Sequence, residues 1–108
     1  MTSISARAGF CLLAIFTSAA APAPTAHRFR IVIQDLAFGA APAGIRVGDT
    51  VEWDNQDILV HSVTAQDQSF DADVKPGAKV SFTMHRAGVI RYLCKYHPGM
   101  QGILNVGE

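Results

Sequence analysis

Apolar and polar residues alternate over several short stretches of the chain, which is the pattern of β-strands with one buried face. Residues 28–34 (RFRIVIQ) set Phe29, Ile31 and Ile33 against arginine and glutamine. Residues 50–55 (TVEWDN) and 79–84 (KVSFTM) alternate in the same way. A period of two places successive side chains on opposite faces of a sheet. These three segments are therefore predicted strands.

Further short segments are rich in β-branched and aromatic residues and are separated by Gly and Pro. They are predicted to be strands as well: the start of 36–44, 45–47, 61–65, 88–94 and 102–106. No segment has a sustained helical period, and the pattern allows at most one helical turn near residues 66–73. Seven or eight strands in about 80 residues predict an all-β fold, a small Greek-key β-sandwich or barrel.

The first 26 residues have the layout of a secretory signal peptide. Arg7 is followed by an apolar run from Phe10 to Phe16, then by small residues and an Ala/Pro stretch. The apolar run is too short for a membrane span, which needs roughly 20 residues. We expect cleavage after Ala20 or Ala26, which places the protein in the periplasm or outside the cell.

The remaining residues, 27–108, form one predicted domain. All 9 acidic residues and 8 of the 9 Lys/Arg lie in it, so its net charge is 8 − 9 = −1. These charges are scattered, whereas nucleic-acid surfaces carry clustered Lys and Arg, so no nucleic-acid partner is expected. We also expect no stable membrane insertion and a monomeric state.

Cysteine usage restricts the chemistry further. Cys11 lies in the apolar run and is expected to leave with the signal peptide, so Cys94 is the single cysteine of the domain. An odd thiol in an oxidising compartment is buried and inert, paired with another molecule, or bound to a metal.

Residues 92–100 (YLCKYHPGM) carry three candidate metal ligands, Cys94, His97 and Met100, each three positions from the next. A short loop between two strands can turn these side chains towards one point. A fourth donor is then expected from elsewhere, and His61, at the start of a predicted strand, is the candidate. Two imidazoles, a thiolate and a weak axial thioether form the ligand set of a blue-copper electron-transfer site.

Other interpretations of these residues explain less of the pattern. A lone buried cysteine is usually structural, and isolated His and Met residues are usually surface or core residues. Structural zinc needs four strong nitrogen or sulfur ligands, and a thioether is a poor one. A catalytic Cys94 with His97 as its base leaves Met100 unexplained.

The chain resembles the cupredoxins, the small blue-copper proteins. Its Cys-x2-His-x2-Met loop is similar to that of the amicyanins; plastocyanins and pseudoazurins have two more residues between the loop histidine and methionine. The segments IRVGDTVEWDNQDILVHSVTA and KPGAKVSFTMHRAGVIRYLCKYHPGMQGILNV extend the resemblance over residues 28–107. It implies one type 1 copper ion with His61, Cys94 and His97 as strong ligands and Met100 as the axial ligand. It also implies that Ser62 ties the two ligand segments together.

The function implied is that of a one-electron carrier rather than an enzyme. Its partners would be redox proteins, for example a c-type cytochrome or a periplasmic dehydrogenase or oxidase. The alternative is a periplasmic copper-delivery or copper-buffering protein with the same ligands, which would exchange its metal readily.

Overall fold

The structure, a computed structural model, describes residues 2–5, 8–16 and 25–108. Within this part of the chain there are eight strands and no helix. The strands are β1 (Arg28–Gln34), β2 (Ala37–Phe38), β3 (Thr50–Asn55), β4 (His61–Ala65), β5 (Asp71–Val74), β6 (Lys79–Thr83), β7 (Gly88–Cys94) and β8 (His97–Val106). The all-β fold with seven or eight strands predicted from the sequence is confirmed.

The strands form two four-stranded sheets. The first has the order β2-β1-β3-β6 and the second the order β5-β4-β7-β8. In the first sheet β1 lies parallel to β3, with Ile31 opposite Trp53, while the other neighbouring strands of both sheets are antiparallel. The consecutive pairs β1–β2, β4–β5 and β7–β8 are neighbours within a sheet, and the chain crosses between the sheets after β3, β5 and β6.

The core fills the space between the inner faces of the sheets. Trp53 is completely buried, and its ring centroid lies 5.4 Å from those of both Phe70 and Tyr92. Aromatic side chains bury large areas and tilted or edge-on pairs are favourable, so this cluster contributes much of the packing. Opposite Tyr92 on β8 stands Gly102, where a Cβ would lie 2.2 Å from the Tyr92 Cζ.

Two segments differ from the sequence-based expectation in whether they form strands. Residues 45–47 form only an isolated bridge, Arg46 to Gly107, instead of a strand. The region 66–73 contains a hydrogen-bonded turn followed by β5, and no helical turn. Aspartate is disfavoured in strands, but β5 pairs with β4 along its whole length, and this tertiary pairing overrides the local preference.

The strand β8 starts earlier than the expected residue 102. It begins at His97, directly after the two-residue turn Lys95–Tyr96, and Cys94 is paired with His97. The predicted ligand loop is thus the end of a tight hairpin.

The described residues of the N-terminal segment, 2–5 and 8–16, have no regular secondary structure. Its large apolar side chains, including Phe10 and Phe16, are at least three-quarters exposed. Ala20, one of the two expected cleavage positions, lies outside the described residues. Within the described parts of the chain, no helix has the length and hydropathy to cross a membrane.

Candidate metal centre

Three of the four predicted ligands lie together at one end of the second sheet. His61 is the first residue of β4, Cys94 the last of β7 and His97 the first of β8. Pairing of β4 with β7 brings the first two to the same edge, and the hairpin adds the third. One ligand atom from each residue lies within 4.8 Å of the other two.

The sulfur of Cys94 is the centre of this cluster. It lies 3.8 Å from the Nδ1 of His61 and 3.5 Å from the Nδ1 of His97. Cys94 and His61 are fully buried, and His97 is half-buried. Each imidazole therefore directs its Nδ1 atom towards the thiol, as two ligands of a shared ion would.

Met100 is placed in the same hairpin, three residues beyond His97 on β8. Its side chain is almost fully buried, with 4% of its surface exposed. The Met100 side chain therefore lies on the side of the hairpin that faces the protein interior. The assignment of its thioether as the weak axial ligand remains a prediction.

Ser62 connects the two ligand-bearing segments, as the resemblance implies. Its backbone N–H donates to the Cys94 sulfur over 3.3 Å, and its Oγ accepts a hydrogen bond of 2.8 Å from the backbone N–H of Lys95. Hydrogen bonds to a ligand sulfur tune the electronic properties of a metal site. Both bonds also fix the hairpin end relative to β4.

Asp57 is a residue of the centre that the sequence analysis did not identify. Its Oδ2 lies 2.9 Å from the Nε2 of His61 and accepts a hydrogen bond of 3.0 Å from the backbone N–H of Leu36. The Leu36 N–H, followed by the His61 ring, holds the pKa of the Asp57 carboxyl below its ordinary value. An acidic residue four positions before a candidate ligand is the sequence signal that was available.

Asn55 holds the segment that carries Asp57. Its fully buried side-chain amide donates to the carbonyl oxygens of Leu59 and Val74, at 2.8 and 2.9 Å, and its Oδ1 accepts from the backbone N–H of Asp57. The segment before His61 is thus anchored at Asp57 and at Leu59, which restricts the position of the imidazole.

The donor chemistry fits copper. Thiolate and thioether sulfur suit Cu(I), imidazole nitrogen suits Cu(II), and two histidines with one cysteine are the trigonal set of blue-copper sites. A structural zinc site would need a fourth strong nitrogen or sulfur ligand. Among the described residues the cluster of His61, Cys94 and His97 is the one group of three metal-binding side chains brought together.

Comparison with known proteins gives an independent result. A family model described as a cupredoxin-like domain matches residues 7–106. The chain is similar to the solved structure of a reduced amicyanin variant, with 27% identity and a TM-score of 0.65, covering 73% of this chain and 81% of that one. The Cu(I) form of another amicyanin variant gives 27% identity, a TM-score of 0.64 and the same coverage.

A purple cupredoxin from Nitrosopumilus maritimus is similar as well. The identity is 25% and the TM-score 0.62, and the match covers 73% of this chain and 99% of that one. No curated protein sequence matches the chain. The similarity over most of the lengths of these proteins confirms the resemblance inferred from the ligand loop.

Proposed function

The chain belongs to the family of cupredoxin-like domains, and from this premise we propose that it is a one-electron carrier working between redox proteins. The cofactor of the centre is one type 1 copper ion, supported by the family and by the clustered donors. We propose His61, Cys94 and His97 as its strong ligands and Met100 as its axial ligand.

The observation that carries this proposal is the buried Cys94 sulfur between two imidazole Nδ1 atoms, at 3.8 and 3.5 Å. Copper supplies the one-electron redox change when it is bound. The protein contributes a fixed arrangement of donors. Ser62 and Asn55 hold the ligand-bearing segments through hydrogen bonds to the backbone, so little rearrangement is needed between the two oxidation states.

The surface beside the centre suits a transient partner. Ile58, Leu59 and Val60 directly precede His61, and 88%, 41% and 42% of their surfaces are exposed. These apolar residues adjoin His61 in the chain, and the ring centroid of His61 lies 4.9 Å from that of half-buried His97. Redox encounters use small interfaces, below about 1,200 Å². The partners proposed are redox proteins such as a c-type cytochrome or a periplasmic dehydrogenase or oxidase, and the carrier itself is proposed to be a non-enzymatic monomer.

Export is part of the proposal. Residues 1–26 are proposed as a signal peptide with its Ala/Pro segment, cleaved after Ala20 or Ala26, and residues 27–108 as the domain delivered to the periplasm or beyond. The exposed apolar side chains between Phe10 and Phe16 support this, because they contribute nothing to the core of the domain. Mass spectrometry of the protein recovered from the periplasm tests the cleavage position.

The central test is spectroscopy of the copper-loaded protein, compared with a Cys94→Ser variant. We expect intense visible absorption from thiolate-to-copper charge transfer, a reversible one-electron potential, and loss of the absorption in the variant. A colourless protein that holds only Cu(I) and gives it up readily to a chelator would instead indicate copper delivery or buffering. A variant that keeps the colour would overturn the assignment of Cys94.

A further inference from the structure

We propose that Asp57 is a positioning residue for the metal centre, which fixes the ring of His61 and makes the reduction potential depend on a carboxylate that does not touch the metal. The inference rests on the proposed copper function. It adds a residue that neither the ligand motif nor the family match assigns.

The first step is the state of the His61 ring. An ionised carboxylate only accepts hydrogen bonds. The contact of 2.9 Å between the Asp57 Oδ2 and the His61 Nε2 therefore places the ring proton on Nε2. The lone pair is then on Nδ1, the atom that faces the Cys94 sulfur. Asp57 thus selects the tautomer whose lone pair faces the Cys94 sulfur.

The second step is that Asp57 itself is fixed. Its Oδ2 accepts from the Leu36 backbone N–H, its Oδ1 accepts from the Ile58 backbone N–H at 2.8 Å, and its own backbone N–H is held by Asn55. Only 12% of the Asp57 side chain is exposed, and none of the His61 side chain is. A hydrogen bond between a fixed anion and a buried ring is electrostatically stronger than the same bond in water.

The third step connects this pair to the other sheet. Leu36 lies in the turn between β1 and β2, where Asp35 and Leu36 have φ angles of 54° and 57°. Two positive φ angles in a two-residue hairpin loop are those of a type I′ turn, which usually contains Asn and Gly. This unusual backbone conformation directs the Leu36 N–H at Asp57. The orientation of a ligand in the second sheet therefore depends on a turn of the first.

The consequence for the metal follows from charge. A carboxylate that accepts the second ring N–H strengthens a histidine as a metal ligand. The more highly charged Cu(II) gains more from a stronger donor than Cu(I) does. The Asp57 carboxylate therefore favours the oxidised state and lowers the reduction potential.

The test is Asp57→Asn in the copper-loaded protein, with Asp35→Asn as the matched control. Asparagine keeps the size and an acceptor oxygen but removes the charge. Asp35 carries the same charge one residue from Leu36, its side chain is exposed, and asparagine tolerates its positive φ. We expect the ratio of Cu(II) to Cu(I) affinity to fall about tenfold in Asp57→Asn, which raises the potential by about 59 mV. The Asp35→Asn variant should change the reduction potential far less.

A second readout needs no variant. In the diamagnetic Cu(I) form, the Nε2–H of His61 should give a slowly exchanging proton signal in NMR spectra. Its absence would overturn the inference even if Asp57→Asn failed to fold. The inference is also wrong if the two Asn variants have the same potential. A wild-type protein that binds no copper would refute the proposed function itself, which is a separate outcome.

Discussion

The backbone N–H of Ser62 donates to the Cys94 sulfur over 3.3 Å, and the hydroxyl of the same residue accepts the N–H of Lys95. One residue of β4 therefore holds both the candidate thiolate and the turn that follows it. The two contacts act differently, because the first uses the backbone and the second the side chain. A substitution of the Ser62 side chain removes the second hydrogen bond and keeps the first.

Ser62→Ala should destabilise the protein without removing the copper colour. The backbone N–H to the sulfur remains, while the partly buried N–H of Lys95 loses its acceptor, which costs about 1–3 kcal/mol. Urea denaturation measures this change in the free energy of unfolding. Ser81→Ala is the control, because Ser81 is exposed and its Oγ accepts only an exposed hydrogen bond from the Arg28 guanidinium, so the change should stay within about 0.5 kcal/mol. Equal effects of the two substitutions would contradict the role of Ser62.

Met100 variants test the axial ligand. In Met100→Gln, a harder oxygen donor favours Cu(II), so the protein should keep its copper and show a lower reduction potential. In Met100→Leu, the donor is lost at nearly constant volume, and the potential should rise. Voltammetry of both variants measures these opposite shifts. Wild-type potentials in both would mean that the Met100 sulfur does not contact the metal.

Gly102→Ala tests the packing beneath β8. A Cβ at this position would lie 2.2 Å from the Cζ and 2.4 Å from the hydroxyl oxygen of Tyr92, so the ring must move within the aromatic core. Overpacking of this kind costs about 1–3 kcal/mol. Thermal and urea unfolding measure the loss. At Gly107, the control position, the nearest atom to an added Cβ is 3.6 Å away, and Gly107→Ala should change stability little.

The carboxylate of Asp49 should make the free energy of unfolding depend on pH. Its buried carboxylate accepts the backbone N–H groups of His27 and Arg46, at 2.7 and 2.8 Å, and these hydrogen bonds lower its pKa from the ordinary 3.8. A depressed pKa in the folded state stabilises the protein above the unfolded-state value, and this stabilisation disappears as the pH falls through the folded-state value. Wild type should therefore exceed Asp49→Asn in unfolding free energy at neutral pH, and the difference should shrink below pH 3.8. A difference that is independent of pH would show that the Asp49 charge is irrelevant.

Strands with regular alternation were predictable from the sequence, because burial of one face leaves a period of two. The ligand set was predictable from the residue types and spacing of Cys94, His97 and Met100. In contrast, β5 was missed because its aspartates hide the alternation of Ala72 and Val74, and its pairing with β4 is a tertiary effect. The early start of β8 was missed because Pro98 and Gly99 are typical of loops.

The role of Asp57 was hidden for a different reason. The two hydrogen bonds that matter for this role join it to His61, four residues away, and to the backbone of Leu36, 21 residues away in the β1–β2 turn of the other sheet. A hydrogen bond from a backbone N–H does not depend on the type of residue that donates it, so the sequence does not indicate it. The turn that presents it also lacks the glycine by which such turns are usually recognised.

The position of the donors along the chain has a consequence for how the centre is assembled. Cys94, His97 and Met100 all follow Leu93, close to the C-terminus, whereas His61 belongs to a strand that is made much earlier. A chain without the β7–β8 hairpin therefore holds His61 alone of the four proposed donors. The three clustered donors come together only when the β7–β8 hairpin pairs with β4, so metal binding requires this tertiary pairing.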